Sequence, residues 1–533
     1  MVCRMISSGG VPTWGNSGRT PVSDLRSAPR NGMPRIATLW GLLGLVAYAL
    51  ARSLAYARMR PLSIDEVLTH SVCRQANLPA IWKALSHGVD GQPPLFYLIE
   101  RSLALLNPDE HIGYRLLPVL GFVCTLALLY VFVRTRNGAT PALICASLLL
   151  MTPLFTIYAA EARPYTPLTA CIAIALVCYQ RVPNALWVSG MFLSLLLASS
   201  LHYYAVFAIG PFFLAELTAV YETKKVRFWV WLALLLSLIP LGISWSLLMG
   251  MKRHWGAHFF APFSLRTLPL TYAWYLGLLP AWGTAIVGAV SAGILATFSS
   301  RDSQPGGPKE PPSASLPERV LVLGLIVLPL VGYAAAKITH APFVGRYFLP
   351  AILGIAAAIG YMLGRSRTKS IMVAAMFVLL AIGVQELGFW TSPRHRVVPD
   401  EQISPLASVA EAVHHEDLPI VVSDFGLYLE FWHYAPPWLR GRIMALADPA
   451  NAVIYAGTDT SDQLAVAWQS YEPEGVQDFA PFAAEHPIFL LYSTGTSFDW
   501  WPARLAHDGH RLQLLAVHGR NAMYLVELKT IPN

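Results

Sequence analysis

Long apolar runs separated by short polar breaks dominate the chain. A bilayer-spanning helix needs about 20 mostly apolar residues. Runs of that kind lie near 36–56, 113–133, 139–160, 165–180, 186–202, 203–221, 226–250, 282–299, 319–338, 346–364 and 370–390, so about eleven transmembrane helices are expected. The run at 36 is too long for a signal-peptide core and is read as a retained helix. Two further apolar stretches, PPLFYLIERSLALL (93–106) and LPLTYAWYLGLLP (268–280), are too short to span. Both read as helices lying in the outer interface, where amphipathic segments rich in aromatic residues are stable.

Lys and Arg in short loops orient the spans. RTRNG (134–138), QRVPN (180–184), ETKKVR (222–227), RSRTK (365–369) and the Pro/Gly/Ser-rich linker at 300–318 are assigned to the cytoplasm. Counting spans between them places the N-terminus inside and the C-terminus outside. Residues 1–35, rich in Gly, Ser and Pro and carrying five Arg, read as a disordered cytoplasmic tail.

After Trp390 the pattern changes to ordinary charge, turns and alternating segments. LPIVVSDF (418–425), PIFLLYST (487–494) and NAMYLVELK (521–529) read as buried strands, and SPLASVAEAVHH (404–415) as a helix capped by Ser404. The fold expected is mainly α: a polytopic transmembrane domain over 36–390, with a first outer loop at 57–112, and a small α/β domain over 391–533 on the outer face.

Composition agrees. The chain is 55% hydrophobic and 13% charged, against about 25% charged in a soluble domain. Its formal charge of +7 needs no nucleic acid, because cytoplasmic loops collect Lys and Arg. Of six cysteines, four fall inside apolar runs and none has an obvious disulfide partner.

The outer ends of the spans are unusually polar. Asp65 and Glu66 follow the first; GQPPLFY (91–97) opens an interfacial helix; EARPYTP (161–167), LHYYAV (201–206), MKRHWGAHFF (251–260) and HAPFVGRYFLP (340–350) follow later spans. Ionisable groups near membrane depth are costly, which makes them functional candidates. Each also has a plainer reading. Ser63-x-x-Glu66 fits a capping box, Arg163 could snorkel to lipid phosphates, His202 could be an interfacial belt residue, and Arg346 could anchor a helix end. Their convergence on one face is the stronger signal.

The order of these motifs resembles the GT-C glycosyltransferases, of the family-39 protein mannosyltransferase type with its bacterial aminoarabinose and RgtA/B/C/D-like relatives. The matching residues are Asp65-Glu66, Pro93-Pro94-Leu95-x-Tyr97, Ala162-Arg163-Pro164-Tyr165, His202-Tyr203, and Arg346-Tyr347 with Pro350, over about residues 36–365. The family's usual His before the double Pro is Gln92 here. The resemblance implies an inverting transfer of one sugar from a polyprenyl-phosphate donor to a glycolipid, polysaccharide or protein acceptor outside the cell membrane. It implies Asp65 as base, with Glu66 orienting the acceptor or holding Asp65. Arg163, Arg346, His202 and His340 would bind the donor phosphate, and Tyr97, Tyr165, Tyr203 and Tyr347 the substrates. No cofactor or metal ligand set is expected, though a divalent cation, used by some larger relatives, stays open. The rival reading from the residues is a transporter or flippase of lipid-linked sugars, against which stand the expected absence of inverted repeats and of broken helices near the midplane and the clustering of polar groups at one outer surface.

Overall fold

The computed structural model describes residues 35–255, 258–260, 264–276, 314–339, 343–366, 368–391, 406–407, 410–411, 417–470 and 475–529. The tail before residue 35, the span expected at 282–299, most of the 300–318 linker, His340 and most of the helix expected at 404–415 lie outside them.

Four helices are long and apolar enough to cross a membrane: Ile36–Met59, Leu116–Asn137, Ala205–Thr223 and Lys369–Thr391. Two more spans are bent pairs, Phe228–Ile243 with Trp245–Trp255 at 54° and Leu316–Ile326 with Leu328–Thr339 at 56°. Pro329 withdraws the amide that would continue the second pair unbroken, and Gly242 with Ser244 marks the break in the first. Ala139–Leu150, Tyr165–Tyr179, Ala185–Leu201 and Ala351–Gly364 are apolar but shorter. Among the described residues, four helices qualify by length and apolarity, or six with each bent pair as one span, against eleven expected, of which the one at 282–299 lies outside the described residues. Part of the difference lies in proline. Pro153 opens a separate helix, Pro153–Tyr158, and so cuts the run expected at 139–160 in two. The two interfacial stretches form helices of 11 and 10 residues, Pro94–Ala104 and Thr267–Leu276. The chain is a multi-pass membrane protein.

The basic loops assigned to one side do meet at one end of the bundle. Buried Glu318 accepts from Arg136 Nε at 3.0 Å, Gln180 Nε2 at 2.9 Å and the Tyr361 hydroxyl at 2.7 Å. Nearby, Arg227 pairs with buried Glu216 and donates to the Tyr179 hydroxyl. In the last third of the first helix, Arg52 Nε contacts both Glu386 oxygens, at 2.8 and 2.7 Å, and Tyr48 donates to the same carboxylate at 2.6 Å. That pair ties the first helix to Thr368–Thr391, the last one before the soluble domain.

The C-terminal domain carries one six-stranded sheet, order β3-β2-β1-β4-β6-β5. Its strands are β1 (Ile420–Val422), β2 (Ile443–Ala447), β3 (Val476–Asp478), β4 (Ile488–Ser493), β5 (Arg511–His518) and β6 (Asn521–Glu527). The first four in spatial order are parallel, with Ile420 opposite both Ile443 and Leu490; β6 and β5 add antiparallel edges. Trp500 and Trp501 of FDWWPARL (498–505) are buried in the domain's core. The helix Phe425–Tyr434, which follows β1, docks on Ile64–Cys73, the helix that begins with Asp65 and Glu66. The domain also bonds the chain just before that pair. The Leu62 amide donates to the Tyr434 hydroxyl at 2.6 Å and the Ile64 amide to Glu430 Oε1 at 3.2 Å.

Candidate active site

Ser63 starts the helix Ile64–Cys73, and its capping box forms: the Glu66 carboxylate accepts from the Ser63 amide at 2.9 Å. Glu66 does more than cap. Arg115 grips it with two parallel bonds, Nε to Oε1 and Nη2 to Oε2, both 2.6 Å, and the Ala162 amide donates to Oε1 at 2.8 Å. Both side chains are fully buried. Arg115 spends its remaining protons on the carbonyls of Ala57, Arg60 and Pro61, which fixes the turn leaving the first helix. Burial alone would raise the Glu66 carboxyl; the Arg115 charge and its hydrogen bonds outweigh that and hold it to about 2.

Asp65, one residue earlier, points elsewhere and is about a quarter exposed. Its Oδ1 lies 3.0 Å from Arg163 Nη2 and its Oδ2 lies 3.2 Å from Arg346 Nη2. Burial works to raise its carboxyl, but the two guanidinium charges win and keep it below the ordinary carboxylate range. Arg163 is shared. Its Nη1 also contacts Asp90 at 2.9 and 2.6 Å, and Asp90 is buried. Arg346 has no second carboxylate among the described ion pairs; its Nη1 reaches only the Tyr158 hydroxyl, at 3.4 Å. Arg346 is thus the cation of the pair with charge to spare.

Rings enclose the two arginines. The Arg346 guanidinium sits 5.9 Å from the ring centres of both Tyr165 and Tyr347. His202 lies 5.4 Å from each of those rings. Tyr203 makes none of these contacts; its neighbour Tyr204 does, 4.6 Å from Tyr347 and 5.7 Å from His202. The pairing of Tyr203 with His202 in the motif is correct in sequence but off by one residue in space, because Tyr204 begins the next helix and turns back over the histidine. Tyr97 is buried; its hydroxyl accepts from the Gln92 amide at 3.2 Å and also bonds Asp90, the carboxylate that holds Arg163. Gln92 itself is buried.

Several buried polar atoms here have no partner: Arg163 Nε, Arg346 Nε, His202 Nε2 and Gln92 Oε1. Unsatisfied buried groups cost on the order of 1–3 kcal/mol each. Three of these four are donors gathered where positive charge already collects, a setting made for an anion. A second carboxylate adjoins them. Glu161 is buried, with Arg60 Nη2 4.0 Å from its Oε2. Burial first, then the nearby Glu66 and Asp65 charges, push it up to about 7.

No protein-family model matches the sequence, and no curated sequence matches it. Among solved structures the chain is similar to ArnT from Cupriavidus metallidurans bound to undecaprenyl phosphate, with a TM-score of 0.55 and 14% identity over 92% of this chain and 98% of that one. The chain shares the fold of that structure. Apo ArnT from the same organism gives a TM-score of 0.48 at 15% identity, covering 92% of this chain and 98% of that one. The Archaeoglobus fulgidus oligosaccharyltransferase in complex with Zn and sulfate gives 0.43 at 9% identity, covering 84% of this chain and 67% of that one. At such scores these two add nothing to the assignment. The fold match runs beyond residues 36–365, where the motif resemblance lies, into the C-terminal domain.

Proposed function

We propose that this protein transfers a sugar from a polyprenyl-phosphate donor to an acceptor glycan, lipid or protein at the outer face of the cell membrane, inverting the anomeric carbon. One observation carries the proposal: Asp65 is held between two arginines whose Nε protons, with His202 Nε2, have no acceptor. The undecaprenyl phosphate named with ArnT is a ligand of the class that would supply one.

The donor's phosphate draws Arg346 away from Asp65 and takes its bidentate fork, the geometry guanidinium offers phosphate. Asp65 Oδ2, relieved of that partner, accepts the proton of the acceptor hydroxyl. The acceptor oxygen attacks the anomeric carbon from the side opposite the phosphate. The bond from that carbon to the phosphate oxygen breaks, and polyprenyl phosphate departs with the electron pair. Arg346 and Arg163 stabilise the charge that develops on it. Asp90 holds Arg163 in place, and Glu66 braces the loop without meeting substrate, since both its oxygens are buried and engaged. Among the described residues no three His, Cys, Asp or Glu side chains converge as a cation site requires, and two guanidiniums already supply positive charge to the phosphate.

The test is release of free polyprenyl phosphate from a panel of polyprenyl-phosphate sugars, with membrane extract as acceptor source. Wild type is expected to turn over one donor, and Asp65→Asn to fall by about 10²–10⁴-fold while the protein stays folded. Equal turnover by both proteins removes Asp65 from the chemistry. Silence across the panel with lipid translocation intact supports a transporter instead.

A further inference from the structure

We infer that His202 serves the donor phosphate as a neutral hydrogen-bond donor locked in one tautomer, and not as an acid, base or cation. The inference deepens the donor reading above and rests on it. Its basis is a backbone contact. The Tyr204 amide donates to His202 Nδ1 at 3.0 Å, so Nδ1 is an acceptor and carries no proton. A neutral imidazole then has its one N–H on Nε2, and that is the atom without a partner. The ring is 3% exposed, too deep for bulk water to satisfy that proton.

Two features hold this state. His202 ends the helix Ala185–Leu201, and extended backbone there (φ −153°, ψ 130°) lets the chain loop back so that Tyr204's amide reaches its own neighbour's ring. A second proton, on Nδ1, would break that bond and place a third positive charge beside Arg163 and Arg346. The charged groups facing the ring are these two arginines, and the rings against it are Tyr165, Tyr204 and Tyr347. The site thus offers a phosphate two kinds of donor: guanidinium charge that is strong toward any anion, and one uncharged N–H whose position is fixed by the backbone. The uncharged donor adds direction without adding charge, so it helps bind polyprenyl phosphate without holding the departing product as a third cation would.

Side-chain geometry makes this testable. The amide nitrogen of Gln reaches where Nε2 sits and can donate there. Asn reaches only the Nδ1 position, and Phe keeps the ring packing with no N–H at all. Binding of a fluorescent polyprenyl phosphate to the purified protein in detergent is measured by polarisation for wild type, His202→Gln, His202→Asn and His202→Phe. Loss of a hydrogen bond to a charged group corresponds to roughly 10- to 100-fold in affinity. His202→Gln should bind within about threefold of wild type, and Asn and Phe should both weaken by that larger factor. If Gln is as weak as Asn, or Phe binds as well as wild type, the Nε2–H has no such role. If wild type does not bind the probe while remaining folded, the donor reading itself fails and takes this inference with it.

Discussion

The adjacent acids Asp65 and Glu66 show how far neighbours can diverge. Glu66 is buried and bonded on every side, so Glu66→Gln leaves Arg115 without its counter-charge. Breaking a buried pair costs about 3–5 kcal/mol, and the variant should unfold at clearly lower temperature in detergent, with a smaller drop for Asp65→Asn, whose side chain is about a quarter exposed. The depressed Glu66 carboxyl contributes stability above its ordinary 4.5 and loses it as pH falls toward about 2. Glu161 runs the other way. Its raised carboxyl favours the fold at low pH, and that contribution is lost between its ordinary 4.5 and about 7. Because it charges beside Asp65, kcat/KM should change slope near pH 7, and Glu161→Gln should remove the inflection; an unchanged profile would separate Glu161 from the chemistry. Of these residues, Asp65, Arg163 and Arg346 were legible in the sequence, since charge at the outer end of an apolar run stands out. Asp90 was not: in HGVDGQPP it reads as an ordinary polar turn, and only its contact with Arg163 marks it. Arg115 and Glu161 were hidden by plain roles, a helix start and a loop acid.

At the scale of elements, the C-terminal domain holds the loop that carries Asp65 and Glu66. Tyr434 bonds the Leu62 amide and also lies 2.9 Å from His111 Nε2; Gly426 packs on Ile64, where an added Cβ would come within 2.5 Å of Ile64 Cδ1. Tyr434→Phe should therefore lower turnover several-fold with donor affinity little changed, and truncation after 391 should abolish transfer even with Asp65, Arg163 and Arg346 intact. Full activity in the truncated protein would show that the domain only recruits acceptor. The sequence pattern read β1, β4 and β6 correctly because each is a compact apolar run. It missed β2, β3 and β5: IMALA suits a helix equally well, VQD is too short to alternate, and RLQLLAVH has no clear period of two. The helical breaks were missed for a related reason, since hydropathy averages over Pro153 and Pro329 without registering the lost amides.

Across the whole molecule, two polar clusters sit at opposite ends of the bundle, Glu318 with its three donors at one and Asp65 with its arginines at the other, and the Arg52–Glu386 pair lies between. That the basic loops share one end was readable because charge asymmetry survives in sequence; the partners of Arg52 and Glu318 were not, since most come from more than a hundred residues away. Glu386→Gln should leave Arg52 uncompensated among apolar neighbours and reduce the folded yield from membranes, while the paired change Arg52→Leu with Glu386→Leu should recover much of it; equal yields for all three would make the pair incidental. The same ion pair sets a condition on how the protein is made. Its members are 334 residues apart, so at about 5–20 residues per second the ribosome needs roughly 20–70 s after emitting Arg52 to deliver Glu386. During that interval the first helix must either wait at the translocation machinery or sit in lipid with a naked cation. The charge of the first helix is therefore compensated only once the helix Thr368–Thr391 has been made.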